Sequence, residues 1–147
     1  MITFVDVFTT QAGAAWWTRY EKERAAVRNR NPSAEDDVRR HMAAWERENP
    51  TPQVSVSDVA DQFEHVRRVA AVDHLGIGSD FDGDPSVIAG LEDVSKYPNL
   101  LLELARRGWA EEDLRKVAGE NFLRVLATAE NVAARLSANG GPDVADE

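Results

Sequence analysis

The segment over residues 73–83 constrains the fold more than any other part of the sequence, because a short apolar run ends there in two acids and a glycine. Residues 75–79 are too few for a helix and are interrupted by glycines, so they predict a buried strand. Asp80 then lies at the carboxyl end of this strand. In sheets whose strands alternate with helices, ligands and reactive side chains collect at that end. We therefore expect the functional site there.

The order of the predicted elements around this strand favours a parallel sheet. Residues 1–8 are apolar and β-branched enough to form another strand. Helices are expected between the two strands and after the second one, over about residues 11–29, 33–48, 57–71, 100–108, 111–117 and 121–136. A helix, a short loop and a buried strand make half of a βα repeat. The predicted fold class is therefore α/β, mostly helical by residue count.

Local signals predict where several of these helices begin. Ser33, with Asp36 three residues later, resembles a capping box. Ser57 is expected to cap the helix that precedes the central strand. Four side chains recur along that helix at a spacing that gives it one apolar face for the core, namely Val59, Phe63, Val66 and Val69.

Composition restricts the classes of function. The chain has 147 residues, enough for one ordinary globular core, and a net charge of −9. Binding to a phosphate backbone needs clustered Lys and Arg, so this acidic balance argues against nucleic acid as a partner. There is no cysteine, which excludes disulfides, thiolate metal sites and a Cys nucleophile. No apolar run reaches the roughly 18 residues of a membrane span, and the first residues lack a signal-peptide pattern, so we expect a cytoplasmic protein.

Three motifs compete for the acids that follow the central strand. A calcium loop needs glycine at its sixth position and an acid at its twelfth, and this sequence has neither. A dinucleotide fingerprint starting at Gly76 needs a third glycine where Phe81 stands. The remaining functional interpretation is that Asp80 acts as a general acid or base, or lies beside a metal ion. The alternative is that Asp80 and Asp82 only cap a turn.

The histidines and tryptophans favour structural roles over chemistry. His41 and His65 lie on predicted helices with charged neighbours, so we expect them at the surface. His74 opens the central strand at the end opposite to Asp80 and is expected to make structural hydrogen bonds. None of the three histidines has the spacing of a zinc site. The tryptophans are expected to anchor the core; they are Trp16, Trp17, Trp45 and Trp109.

Three sequence blocks resemble the membrane dipeptidase (renal dipeptidase) family of zinc peptidases. They are GSDFDG at residues 78–83, GLEDVSKYP at residues 90–98 and GENFLRV at residues 119–125. The similarity extends back to the first residues, which look like the seventh strand of the family's barrel. The resemblance implies a (β/α)8 barrel of the TIM type, with two zinc ions and a bridging hydroxide that attacks the carbonyl of a dipeptide.

The resemblance also implies roles for particular residues. Asp80 matches the family's aspartate at the end of strand eight, the candidate that passes a proton to the leaving amine. Phe8 falls where the family carries an aromatic residue near the substrate, often tyrosine. Asp82 and Gly83 complete the same motif with a loop-shaping role. Ala110 stands where the family's Ser or Thr would cap a helix, which bears on stability alone.

The family's metal ligands lie on earlier strands, so no metal-ligating residue is expected in this chain. A complete barrel needs about 250 residues, and this chain supplies roughly strands seven and eight with their helices. We therefore expect residues 1–136 to be the C-terminal part of a dipeptidase barrel and residues 137–147 to be an acidic, disordered tail.

Two hypotheses about function follow. In the first, the parent enzyme hydrolyses dipeptides with zinc. This chain is a truncated piece that lacks the earlier strands with the metal ligands, so it is inactive alone, and a missing N-terminal half is its partner. In the second, the chain is a non-catalytic relic or an interaction module that binds a partner or itself through exposed helix faces and sheet edges.

Overall fold

A computed structural model describes residues 1–30, 35–83 and 87–138. These residues are mostly helical, as predicted, and contain one small sheet. The elements in chain order are β1 (Ile2–Thr3), α1 (Asp6–Thr9), α2 (Gln11–Arg30), α3 (Glu35–Glu48), α4 (Val56–Ala70), a 3-10 turn (Val72–His74), β2 (Ile77–Ser79), a second 3-10 turn (Val94–Lys96), α5 (Tyr97–Arg106), α6 (Glu111–Arg115), a π-helical turn (Lys116–Glu120) and α7 (Asn121–Ala138).

The two strands β1 and β2 pair in parallel, as the order of elements predicted. Ile2 is in register with Ile77, and its backbone N–H donates to the carbonyl oxygen of Gly76 at 2.8 Å. One step further, the N–H of Phe4 donates to the carbonyl oxygen of Ser79 at 2.9 Å. Because parallel strands need a long connection, the four helices α1 to α4 lie between them in the chain.

The prediction of a single strand over residues 1–8 is wrong, because the second half of this segment forms the short helix α1. The hydroxyl of Thr9 and the N–H of Phe8 both donate to the carbonyl oxygen of Val5, at 2.7 and 3.1 Å. Helix α1 packs closely on α2. A Cβ atom on Gly13 of α2 would lie only 2.7 Å from the carbonyl oxygen of Asp6, so the close contact depends on glycine.

Helix α4 begins at a different serine from the one predicted. Ser55, and not Ser57, forms the capping box: its hydroxyl accepts from the N–H of Asp58 at 3.3 Å, and its own N–H donates to the Asp58 carboxylate at 2.8 Å. On the predicted apolar face, Val59 and Phe63 are fully buried, whereas Val69 is 69% exposed because it lies near the helix end. Ser33, the other predicted cap, lies outside the described residues.

The main core lies between the sheet and helices α4 and α5. It comprises the buried side chains Phe4, Val54, Val59, Ala60, Phe63, Leu75, Ile88, Leu91, Leu100, Leu104, Trp109 and Val117. A smaller cluster joins α1 to α2 and comprises Val5, Val7 and Trp16, with Tyr20 and Trp45 packed against it. Trp109 and Trp16 are thus core residues, as predicted, whereas Trp17 is 38% exposed.

Most of helix α7 lies outside the packed body of the protein. Asn121 is buried, and every residue of α7 after it is exposed. The exposed side chains include the large apolar ones Phe122, Leu123, Val125, Leu126, Val132 and Leu136. Gly119 separates α6 from α7, as predicted, through a kink in the π-helical turn. Among the described residues, no helix has both the length and the apolar character that crossing a membrane requires.

Candidate functional site

Asp80 follows the last residue of β2 directly, at the carboxyl end of the parallel pair. Its side chain is exposed, and its backbone has a φ of +72°, in the left-handed region. Ser79 before it has a φ of +21°. Residues other than glycine seldom adopt such angles, although aspartate tolerates them better than most. The strand therefore ends in a sharp turn that presents the Asp80 carboxylate to solvent.

Gly83 lies beside the Asp80 side chain in the turn that follows β2. The N–H of Gly83 donates to the carbonyl oxygen of Asp80 at 3.1 Å. A Cβ atom at position 83 would overlap the Asp80 side-chain oxygen Oδ1, so a larger residue there would require the exposed Asp80 carboxylate to move. Asp82 is exposed within the same turn. The loop-shaping role predicted for Asp82 and Gly83 stays a prediction.

Three aromatic rings lie beneath this turn and connect it to the core. The ring of Phe4 meets those of Phe81 and Tyr97 edge-on, at 5.9 and 6.0 Å between centroids, and Phe81 stacks on Tyr97 at 6.0 Å. The hydroxyl oxygens of Tyr97 and Ser79 lie 2.8 Å apart, within hydrogen-bonding distance, and either can donate. Tyr97 therefore contacts both the residue before Asp80 and the residue after it.

The second sequence block, residues 90–98, folds into a loop that leads to Tyr97. Gly90 has a φ of +88°, which favours glycine, and its N–H donates to the carboxylate of Glu92 at 2.7 Å. This hydrogen bond lowers the pKa of Glu92. Hydrogen bonds from Ser95, first from its side chain and then from its backbone, lower the pKa of Asp93, which caps the following turn.

The third block, residues 119–125, lies at the opposite, amino end of β2. The buried side-chain amide of Asn121 donates to the carbonyl oxygens of Val72 and Leu75, at 2.7 and 2.9 Å. The guanidinium of Arg124 donates to the carbonyl oxygen of Asp73 at 2.6 Å. These contacts fix the chain where it enters β2. The geometry therefore gives this block a structural role.

Phe8 lies on α1, which follows the carboxyl end of β1. Its ring is 65% exposed and meets Trp17 edge-on at 6.4 Å. It lines a shallow cleft of about 190 Å³ together with Thr9 and Gln62. Phe8 thus lies on α1 beyond the carboxyl end of β1, not on the predicted strand, and Asp80 directly follows the adjacent parallel strand β2. The substrate-binding role of Phe8 stays a prediction.

The described residues do not form a metal site. Within 1–30, 35–83 and 87–138, no three His, Cys, Asp or Glu side chains lie close enough together to hold an ion. All three histidines are exposed. His41 pairs with Glu23 at 2.7 Å, as a surface histidine does. Asp80 therefore stands among these residues without the further ligands that a bound metal needs.

Tyr97 and Asn121 are the structural residues that sequence reasoning missed. Tyr97 lies in the second sequence block, residues 90–98, and Asn121 in the third, residues 119–125. The blocks indicate a family resemblance but not which residues these two side chains contact. Their partners are 18 and 46 to 49 positions away in the sequence. Contacts at such separations leave no local pattern in the sequence, and the burial of Asn121 is visible only in the structure.

The sequence of this chain is similar to those of known dipeptidases. The model of a family described as Membrane dipeptidase (Peptidase family M19) matches residues 1–140. Dipeptidase tcpJ of Claviceps purpurea (strain 20.1) is 46% identical over 90 residues, which are 61% of this chain and 21% of that protein. Dipeptidase 3 of Rattus norvegicus is 50% identical over 78 residues, 53% of this chain and 16% of that protein. The alignments thus cover about a fifth or less of these curated relatives.

The family that matches this chain, and both of these relatives, are described as dipeptidases, which are a class of peptide hydrolases. Within this class, the chain belongs to the membrane dipeptidase family, whose model covers nearly its whole length. The family membership predicted from the three sequence blocks is confirmed.

Proposed function

We propose that this chain forms the C-terminal part of a (β/α)8 barrel whose parent enzyme hydrolyses dipeptides. The observation that carries the proposal is the position of Asp80, exposed directly after β2 and beside the parallel β1, in a chain of a dipeptidase family. In barrels of this type, reactive groups lie at the carboxyl ends of the strands. The two zinc ions that the resemblance implies would be held by residues outside the described ones.

Asp80 has the chemistry of a proton carrier for amide hydrolysis. When water attacks the carbonyl of a peptide bond, the water loses a proton, and the departing amine must gain one before the C–N bond breaks. A carboxylate within reach of both groups accepts the first proton and delivers it to the amine. The left-handed backbone of Asp80 turns its side chain away from the strand and toward solvent, where a substrate can approach.

Phe8 is proposed to contact the substrate from the neighbouring strand end. Its exposed ring offers an apolar surface to a dipeptide side chain, and the short helix α1 holds it at the carboxyl end of β1. The hydroxyl of the tyrosine often found in the family is absent, so Phe8 supplies packing without a hydrogen bond. Asp82 and Gly83 are proposed to keep the turn at Asp80 in shape.

Two assays test this proposal. The 147-residue chain is assayed for dipeptide cleavage with and without zinc, and we expect no activity above background. In the second assay, residues 1–140, which the family model matches, replace the corresponding residues of the rat relative. We expect this fusion to hydrolyse dipeptides in the presence of zinc. Hydrolysis by the chain alone, or a folded fusion without activity, would contradict the proposal.

Helix α7 favours a second candidate function, that of an interaction module. Its apolar side chains recur every three or four residues and form one exposed stripe, made of Phe122, Val125, Ala129, Val132 and Leu136. Within the described residues, each strand of the two-stranded sheet also has one unpaired edge. Such surfaces are typical of contacts between polypeptides. In this candidate function, a second copy of the chain covers the stripe.

Sedimentation distinguishes this second function from the first. A module that binds its own copy sediments as a dimer, and Val125→Glu makes it monomeric by placing a charge in the stripe. Asn131→Glu is the matched control, because it adds the same charge on the opposite face of α7. A monomer at all concentrations would exclude self-association.

The predicted cytoplasmic location stays a prediction.

A further inference from the structure

We propose that Tyr97 is a positioning residue for Asp80, acting through Ser79. This inference rests on the proposed role of Asp80 in dipeptide hydrolysis. The hydroxyl oxygens of Tyr97 and Ser79 lie 2.8 Å apart, and the Tyr97 ring stacks on Phe81. Tyr97 thus contacts the residues on both sides of the proposed proton carrier, without belonging to the sequence block that contains it.

The backbone around Asp80 needs such support. Ser79 and Asp80 have consecutive positive φ angles of +21° and +72°, which L-residues adopt only when the surroundings hold them there. One support is the backbone N–H of Phe4, which donates to the carbonyl oxygen of Ser79 at 2.9 Å. The Tyr97 hydroxyl supplies a second one at the Ser79 side chain. Together they fix the peptide that leads into Asp80.

Tyr97 is itself held by a rigid element. It is the first residue of α5, and Leu100 and Leu104 of the same helix are fully buried in the main core. The Phe4 ring, which is also buried, meets Tyr97 edge-on at 6.0 Å. A group that fixes a reactive side chain must have a fixed rotamer of its own. The packing of α5 in the core therefore fixes Tyr97, and Tyr97 in turn fixes the residues on either side of Asp80.

The two tyrosines of the chain allow a matched test of this role. Tyr97→Phe keeps the ring and removes the hydroxyl, and Tyr20→Phe makes the same change in the cluster at α2, where the ring stacks on Trp16 at 5.2 Å. Ser79→Ala removes the hydrogen bond from its other side. The first readout is hydrogen exchange of the Gly83 amide, which donates to the carbonyl oxygen of Asp80, in the 147-residue chain and in the fusion.

We expect Tyr97→Phe and Ser79→Ala each to speed this exchange by about three- to tenfold, the equivalent of one neutral hydrogen bond. The double variant should be no faster than either single one, because both remove the same interaction. In the fusion, kcat should fall by a similar factor while KM stays unchanged, since Tyr97 acts on Asp80 and not on the substrate. Tyr20→Phe should change neither quantity.

Equal exchange of the Gly83 amide in Tyr97→Phe and Tyr20→Phe would overturn the inference, as would additive effects of the Tyr97 and Ser79 variants. A fall in kcat without faster exchange would also contradict it, because the hydroxyl would then act on the substrate. Failure of the proposed function gives a different result. In that case Asp80→Asn leaves hydrolysis intact, while the exchange at Gly83 still decides whether Tyr97 holds the turn.

Discussion

Gly83 limits where the Asp80 carboxylate can lie, since any side chain at position 83 would overlap Oδ1 of Asp80. Gly83→Ala should therefore move the carboxylate away from its place. In the fusion, we expect kcat to fall by about tenfold or more, because small displacements of a reacting group are costly. The free energy of unfolding should change little, since the turn is exposed.

Gly108→Ala is a suitable comparison for this variant. Gly108 has a φ of +85° and open space around the position of a Cβ atom, so the substitution strains the backbone without touching Asp80. It should lower stability and leave kcat unchanged. If Gly83→Ala kept full activity, the Asp80 carboxylate would not need its present position.

The location of Asp80 could be predicted from the sequence, whereas its surroundings could not. A short glycine-interrupted strand followed by acids is a local pattern, and β2 indeed ends directly before Asp80. The contacts that hold the turn come from Phe4 and Tyr97, which are distant in the sequence. Side-chain contacts of this kind depend on how α5 packs against the core. The sequence pattern within residues 73–83 contains no information about that packing.

At the scale of elements, the capping box of α4 gives a prediction with a defined pH dependence. Hydrogen bonds from the side chain and then the backbone of Ser55 lower the pKa of Asp58. A carboxyl group whose pKa is depressed by folding contributes stability above its unfolded pKa of about 3.9, and this contribution is lost as the pH falls through the folded value. Ser55→Ala should cost about 1 kcal/mol at pH 7.

Urea denaturation at pH 7 and NMR titration of the Asp58 carboxyl group measure the two effects. In Ser55→Ala, the pKa of Asp58 should rise toward the ordinary value of an aspartate, and the acid-dependent part of stability should shrink. Ser57→Ala is the control, because the Ser57 hydroxyl accepts from Arg107 and takes no part in the capping box. A larger pKa change in Ser57→Ala would mean that the cap is assigned to the wrong serine.

The elements themselves were predictable where local signals agree. The boundaries of α2 and the kink at Gly119 follow helix periodicity and glycine placement, and the structure has both close to their predicted positions. Helix α1 was missed because the apolar residues of the segment suit a strand and a short helix equally well. The choice between them depends on the close contact with Gly13 of α2, which is a tertiary interaction.

At the scale of the whole molecule, Asn121 joins α7 to the segment that enters β2. Its buried amide donates to two carbonyl oxygens, those of Val72 and Leu75. Asn121→Ala leaves both acceptors without this donor, and we expect it to lower the free energy of unfolding by about 2 kcal/mol. Asn131→Ala, at an exposed position of α7, should change it by less than about 0.5 kcal/mol.

Urea denaturation of both variants measures this difference. Equal stabilities would show that Asn121 does not hold α7 to the core. The same measurement bears on the exposed stripe of α7, because a helix held to the rest of the protein through Asn121 and Arg124 gains little from the exposed apolar side chains beyond them. The stability of the described residues should therefore depend on Asn121 far more than on Val125.

The most direct measurement of the central claim is the kcat of the fusion after removal of the Asp80 charge. Asp80→Asn should lower kcat by about a hundredfold or more, the usual contribution of a group that carries a proton in the reaction. Asp73→Asn makes the same change at the opposite end of β2, where Asp73 pairs with Lys116 at 3.1 Å, and should alter kcat by less than about threefold. Equal kcat values for the two variants would contradict the role of Asp80.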